Sequence, residues 1–228
     1  MTPVIAFDVN ETLLDLSVLD ADFEAELGDA ALRGQWFSQM LQLAFVGAIT
    51  GRYVDFTSAQ RAALAMVAER AGVELSGDAE PRILGRMRAL PAHPDVSGAL
   101  TRLREAGLRL AALTNSPLDV ARDQLRHAAL DEHVDAILSA DEVQALKPRR
   151  EAYELVARTF AVPLGEVWLV AAHGWDVAGA VAAGCRAAFV ARPGMVLSPI
   201  GERPEIVGDD LSEVADRLLA RAGVGAPG

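Results

Sequence analysis

The chain has 228 residues, of which 51% are hydrophobic, and a formal net charge of −11. That length and apolar content can build a sizeable core without staples, while the acidic balance argues against nucleic acid or anionic membranes as partners. One cysteine, Cys185, cannot form an intrachain bridge, which fits a reducing compartment and a cytoplasmic location.

The N-terminal MTPVIAFD lacks the basic flank and apolar length of a signal peptide. No apolar run approaches the roughly 20 residues that span a bilayer. A first strand is expected at 3–8. Further short apolar runs follow at 108–114, 135–139, 166–171 and 186–191, each bounded by polar or glycine residues and each expected to be buried on both faces. Helical patterns separate them at 117–130, 150–161 and 175–184, the last closed by Gly184. Strand–helix alternation at this spacing predicts right-handed crossovers and a parallel sheet, a doubly wound α/β core.

Residues 16–91 break the rhythm with no strand and at least three helices. WFSQMLQLAFVGAI (36–49) is apolar nearly all round and is expected to be buried on several sides. TSAQRAALAMVAERAG (57–72) opens with Thr57 and Gln60 at capping-box spacing and closes at Gly72. A third helix is expected to run from 79 to Pro91. The expected division is a core of 1–15 and 92–222, an all-helical cap of 16–91 inserted after the first strand, and a flexible tail of 223–228.

Polar groups recur at or just beyond the strand ends. They are Asp8 with Asn10 and Thr12, then Thr114, Asn115 and Ser116, then Lys147, then His173, Trp175 and Asp176. In a parallel sheet these ends face one crevice. Taken singly, Asp8 or Asp176 could be a cap and Lys147 a surface lysine. Their ordered recurrence after successive strands points to a site. A carboxylate at a strand end can attack an electrophile and form an ester. A lysine beside it keeps it ionised: opposite charges about 4 Å apart attract by roughly 4 kcal/mol at an effective dielectric of about 20, before desolvation.

FDVNETL, LTNS, LKP and GWD, in that order and with helices after the first strand, resemble the haloacid dehalogenase superfamily. More closely, FDxxxTLxD, TGRYVDF, LTNSP, VQALKPRREAYELVA and GWDVAGA are similar to its L-2-haloacid dehalogenase (type II) branch. The resemblance implies a Rossmann-like core with Asp8 as nucleophile, attacking C2 of a short 2-haloalkanoic acid and forming an aspartyl ester that water hydrolyses to a 2-hydroxy acid. It implies that the substrate carboxylate is held by the backbone N–H groups of Val9 and Asn10 and by the Thr114 hydroxyl, and that Asn115 faces the halide. Lys147 and Tyr153 would hold nucleophile and substrate, Thr12 would orient Asp8, and Asp176 would orient Lys147 and the water. Trp175 would lie against the substrate. Phosphatases of the superfamily carry an acid two residues beyond the nucleophile, because an alkoxide needs a proton on leaving and a halide does not. Asn10 cannot supply that proton. Ala171 and Ala172 stand where a Mg²⁺-binding carboxylate is expected, so no metal and no cofactor is expected.

Three positions depart from the branch. The halide-binding arginine after the tryptophan is Phe37. Arg33, one turn earlier on the same helix face, is long enough to substitute; otherwise Phe37 simply packs in the cap. A serine of the branch is Ala171. An asparagine is His173, which is either a base for ester hydrolysis or a satisfied structural histidine. His93, His127 and His133 have no motif partners. The rival expectations are a phosphatase with unusual ligands and a weakened small-acid binding protein. The helix at 36–49 either lies inside the cap or forms a homodimer interface, the branch being commonly dimeric.

Overall fold

The computed structural model describes residues 2–223. In chain order its elements are β1 (Val4–Phe7), α1 (Asp20–Leu27), α2 (Leu32–Thr50), α3 (Phe56–Ala71), α4 (Ala79–Arg86), α5 (Val96–Glu105), β2 (Arg109–Thr114), α6 (Leu118–His127), β3 (Ala136–Ser139), α7 (Arg150–Phe160), β4 (Val167–Ala171), α8 (Gly174–Ala183), β5 (Arg186–Val190), β6 (Ile206–Gly208) and α9 (Leu211–Arg221). The strands form one parallel sheet in the order β3-β2-β1-β4-β5-β6. The chain starts in the middle, winds outward through β2 and β3, then crosses to the other side of β1 with β4. That reversal opens a crevice at the carboxyl ends of β1 and β4. Phe7 stands level with Ala112 and Val170, so Asp8 emerges at the crevice floor.

Successive side chains of a strand point to opposite faces, and the two cores follow that alternation. Ile5, Phe7, Leu110, Ala112, Trp168 and Val170 belong to one; Val4, Ala6, Ala111, Leu113, Val167 and Leu169 belong to the other. α5 and α9 cover the first face, α7 and α8 the second. Both faces are covered, which is why the strands read as continuous apolar runs.

The four helices α1–α4 lie between β1 and α5, and their apolar side chains are continuous with the first core through Phe23, Trp36, Met40, Phe56, Leu64 and Ile83. Trp36 is fully buried, its Nε1 donating to the Gln60 carbonyl at 2.9 Å. Burial of such a side chain is worth about 2–3 kcal/mol, and it fixes α2 against α3.

Several boundaries differ from expectation. α3 is capped by Asp55, whose carboxylate accepts from the Ser58 N–H at 2.9 Å, so Thr57 lies inside the helix and no Thr57–Gln60 capping box forms. A carboxylate at this end also faces the positive helix terminus, which a threonine hydroxyl does not match. α2 begins at Leu32, before Trp36, and α4 ends at Arg86, short of Pro91. α2 is buried on several sides, as expected, through Trp36, Phe37, Met40, Leu41 and Ala44, while Val46 and Ile49 are 50% and 85% exposed. α1, α5, α9 and the three-residue β6 are additional to the expected elements. The expected tail at 223–228 lies, apart from Gly223, outside the described residues.

Candidate active site

β1 ends at Phe7, and Asp8 is the first residue past it. Its backbone N–H donates to Val170 O at 3.0 Å, which holds it level with the end of β4. Three donors surround its buried carboxylate: Lys147 Nζ reaches Oδ1 at 2.7 Å, the Thr12 hydroxyl reaches Oδ2 at 2.7 Å, and His173 Nδ1 lies 2.9 Å from Oδ2. Thr12 Oγ1 also accepts from the Ala172 N–H at 2.9 Å, tying the turn after β1 to the end of β4. Burial by itself raises the Asp8 carboxyl, but Lys147 and His173 outweigh it and hold the group well below the usual carboxylate range. Asp8 is therefore an oriented, ionised carboxylate at neutral pH.

Lys147 is 1% exposed and donates also to Asp176 Oδ2 at 2.6 Å. Burial lowers a lysine, yet Asp176 and Asp8 more than reverse that here, and Lys147 stays charged. Asp176, in the first turn of α8, is wholly buried; burial raises it, and the neighbouring Asp8 adds to the rise against Lys147 and Tyr153. Tyr153 donates to Asp176 Oδ1 at 2.7 Å. Gly179 makes this contact possible. A Cβ there would stand 2.3 Å from Pro148 Cβ and 2.6 Å from the Tyr153 hydroxyl. Asn115 grips the Lys147 main chain from both ends of its amide, Oδ1 accepting from the Lys147 N–H at 2.7 Å and Nδ2 donating to its carbonyl at 3.2 Å.

His173 N-caps α8 and lies between two acids. Nε2 is 3.0 Å from Glu11 Oε2, opposite the Nδ1 contact with Asp8. Carboxylates accept and do not donate, so both ring nitrogens carry hydrogen. Burial lowers a histidine, but Asp8 and Glu11 overcome it and raise His173 to about 9. At neutral pH it is an imidazolium. Phe37 stacks on it, centroids 5.5 Å apart and planes 9° apart, and Trp175 lies 5.3 Å away in the first turn of α8. Phe45 meets Trp175 edge-on, so α2 and the first turn of α8 share an aromatic wall. Trp175 Nε1 is buried with no partner among the described residues.

The structure thus brings together Asp8, Thr12, Lys147, Asp176, Tyr153, His173, Trp175 and Phe37. Thr114 is buried at the end of β2, its hydroxyl accepting from the Ser116 N–H at 3.1 Å. Val9 and Asn10 begin the turn that carries Thr12. The Asn10 side chain faces α6, accepting from Gln124 Nε2 at 3.0 Å and donating to Ser116 Oγ at 3.3 Å. Two expectations take a different form. Asn115, expected to face the halide, bonds the Lys147 main chain with both ends of its amide. Arg33 bonds Glu11 Oε1 at 3.1 Å and pairs with Asp20, so two carboxylates already match its charge. His173, expected as either a base for ester hydrolysis or a satisfied structural histidine, is in the resting site a doubly protonated ring between two carboxylates.

Three supporting residues lay outside the expected set. Glu11 is three positions after Asp8, and that spacing was its only sequence signal. Gln124 orients Asn10. Arg192 donates to the Thr12 carbonyl from Nε at 3.2 Å and Nη2 at 2.9 Å, and is anchored by Asp95 at 2.8 Å. It comes from beyond β5, 180 residues away in sequence.

The family model described as haloacid dehalogenase-like hydrolase matches residues 2–184. Among curated proteins, the chain is 30% identical to an (S)-2-haloacid dehalogenase of Pseudomonas putida over 96% of this chain and 100% of that one. It is 29% identical to a haloacetate dehalogenase of Moraxella sp. (strain B), over 88% of this chain and 91% of the other. Among solved structures, the L-2-haloacid dehalogenase of Xanthobacter autotrophicus is similar at a TM-score of 0.88 and 28% identity, covering 97% of this chain and 99% of that one. A second structure of the same enzyme, with chloropropionic acid covalently bound, gives 0.87.

Proposed function

Since the chain belongs to the haloacid dehalogenase-like hydrolase family, in its L-2-haloacid dehalogenase branch, we propose that it hydrolyses short 2-haloalkanoic acids to 2-hydroxy acids through an ester on Asp8. The observation that carries this is Asp8 itself: a buried, ionised carboxylate held by three donors at the floor of the crevice. One carboxylate oxygen forms the bond to C2 as the carbon–halogen bond breaks, and the bonding pair leaves with the halide. No proton is needed for that departure. This suits Asn10, whose side chain has no acidic proton and is turned towards Gln124 and Ser116.

Lys147 has two tasks. It keeps Asp8 ionised, and it stays charged when the carboxylate becomes a neutral ester, because Asp176 remains its partner at 2.6 Å. The substrate carboxylate is assigned to the backbone N–H groups of Val9 and Asn10 and the Thr114 hydroxyl, a cluster of donors suited to an anion. Phe37 and Trp175 form the apolar wall against C2 and its substituent. Phe37 provides no cation for the departing halide, and Arg33 is matched by Glu11 and Asp20. The positive charge next to the nucleophile therefore comes from Lys147 and His173.

The test is halide release and product analysis with both enantiomers of 2-chloropropionate and with chloroacetate, with and without EDTA. Chelator-insensitive halide release with stoichiometric hydroxy acid supports the proposal. Activity lost to EDTA and restored by Mg²⁺, or phosphate release from phosphate esters without halide release, refutes it.

A further inference from the structure

Glu11 has no role in the mechanism above, yet it occupies a costly position. Its φ is +60°, a left-handed conformation that a non-glycine residue adopts at a penalty of about 1 kcal/mol or more. Its carboxylate is largely buried and shared between His173 Nε2 at 3.0 Å and Arg33 Nη1 at 3.1 Å.

We propose that Glu11 is a positioning residue for hydrolysis of the ester: by holding Nε2–H of His173 it keeps Nδ1 facing Asp8, as a donor while Asp8 is a carboxylate and as a base once Asp8 is esterified. This rests on the dehalogenase assignment. The groups facing His173 are Asp8 and Glu11 directly, with the rings of Phe37 and Trp175 on its faces. Lys147 acts on it through Asp8, and Arg33 through Glu11. Arg33 is what lets Glu11 serve through the whole cycle. When His173 gives up a proton, Glu11 still has a cation partner and stays a carboxylate, so the proton that leaves comes from Nδ1 and Nε2–H is retained. A carboxylate that fixes an imidazole's tautomer and steadies its protonated form is the same device used in hydrolytic triads.

The steps balance. Asp8 attacks C2 and halide leaves with the bonding pair. The ester is neutral, so Nδ1–H loses its anionic acceptor, and that proton passes to solvent as the counter-ion of the halide. The neutral Nδ1 then takes one proton from the water whose oxygen adds to Cγ of Asp8. The tetrahedral species expels the alkoxide, which takes the water's other proton. Asp8 is again a carboxylate and His173 again an imidazolium. The sum is haloacid plus water giving hydroxy acid, halide and one proton.

The experiment compares wild type with Glu11→Gln and Glu11→Gly, the latter relieving the left-handed strain and so guarding against misfolding. In the resting proteins, NMR titration of the His173 ring should show its midpoint lowered by at least one pH unit in both variants. In rapid-quench turnover of (S)-2-chloropropionate, both variants should release a first equivalent of halide at near wild-type rate. They should then accumulate the Asp8 ester by intact mass, with hydroxy acid formation slowed roughly tenfold or more. An unchanged His173 midpoint, or equal slowing of halide and hydroxy acid with no ester, overturns the role of Glu11. Absence of halide release from the wild type overturns the dehalogenase assignment instead, with the NMR titration still reporting whether Glu11 sets the charge of His173.

Discussion

Replacing Lys147 with methionine removes the one cation between two buried carboxylates while roughly preserving side-chain volume. In the native protein Nζ sits 2.7 Å from Asp8 and 2.6 Å from Asp176. Without it, Asp8 keeps Thr12 and His173, but Asp176 keeps only Tyr153. Breaking a buried ion pair from one side costs about 3–5 kcal/mol. For a domain of this size that lowers the melting temperature by roughly 6–20 °C, at about 2–4 °C per kcal/mol. The pH dependence has a definite sign. Asp176 already titrates above its ordinary value, pushed up by burial and by Asp8. Losing Lys147 raises it further, so the native state binds a proton that the unfolded chain has released. Stability of the variant then increases as pH falls through the raised Asp176 titration towards the ordinary carboxylate range, more steeply than in wild type. Urea unfolding at several pH values, with halide release measured in parallel, reads both effects. A variant that melts within a degree of wild type and shows the same pH slope refutes the view that Lys147 holds two buried charges.

The remaining predictions follow from the same contacts. The rise of His173 from 6.5 to about 9 corresponds to roughly 3 kcal/mol of stabilisation. It is fully present below pH 6.5 and lost as pH rises through about 9, so urea midpoints of wild type should fall across that window while those of His173→Asn stay flatter; matching curves would show that the ring is not held charged. Phe37→Arg places a second cation about 5.5 Å from the His173 ring, where like charges repel by about 3 kcal/mol at an effective dielectric of 20. The destabilisation caused by Phe37→Arg should therefore be about 3 kcal/mol smaller in a His173→Asn background than in wild type, and additive effects in that double-mutant cycle would count against an imidazolium. Gly179→Ala pushes a methyl into Pro148 and the Tyr153 hydroxyl, which should cost about 1–3 kcal/mol and reduce kcat more than it raises KM, because the Lys147–Asp176–Tyr153 chain shifts; an unaffected kcat would show that this packing does not set the site.

The sheet and the main polar groups were legible because their signals are local. Five of the six strands appear as short apolar runs, and Asp8, Thr114, Lys147 and Asp176 all lie at or beyond the ends of such runs. β6 has three residues, too few for a periodic pattern, and is defined by pairing with β5. The cap of α3 went to Asp55 because a carboxylate was available two residues before the threonine. α2 looked apolar on every side, but its C-terminal part leaves Val46 and Ile49 exposed. Period and composition count apolar residues without saying which neighbours will cover them.

By itself, the sequence determined a doubly wound α/β chain with a helical insertion, a carboxylate at the first strand end, a lysine to pair with it, and a second aspartate beyond the fourth strand. These follow from residue type and spacing, which act over a few positions along the chain. Only the tertiary structure decided the charge of His173, since that depends on Asp8 and Glu11, 165 and 162 residues away. It also decided that Arg33 is matched by Glu11 and Asp20, and that Asn115 clamps the Lys147 backbone. Protonation state and hydrogen-bond partnership are set by what lies within about 3 Å in space, and sequence order does not fix that distance.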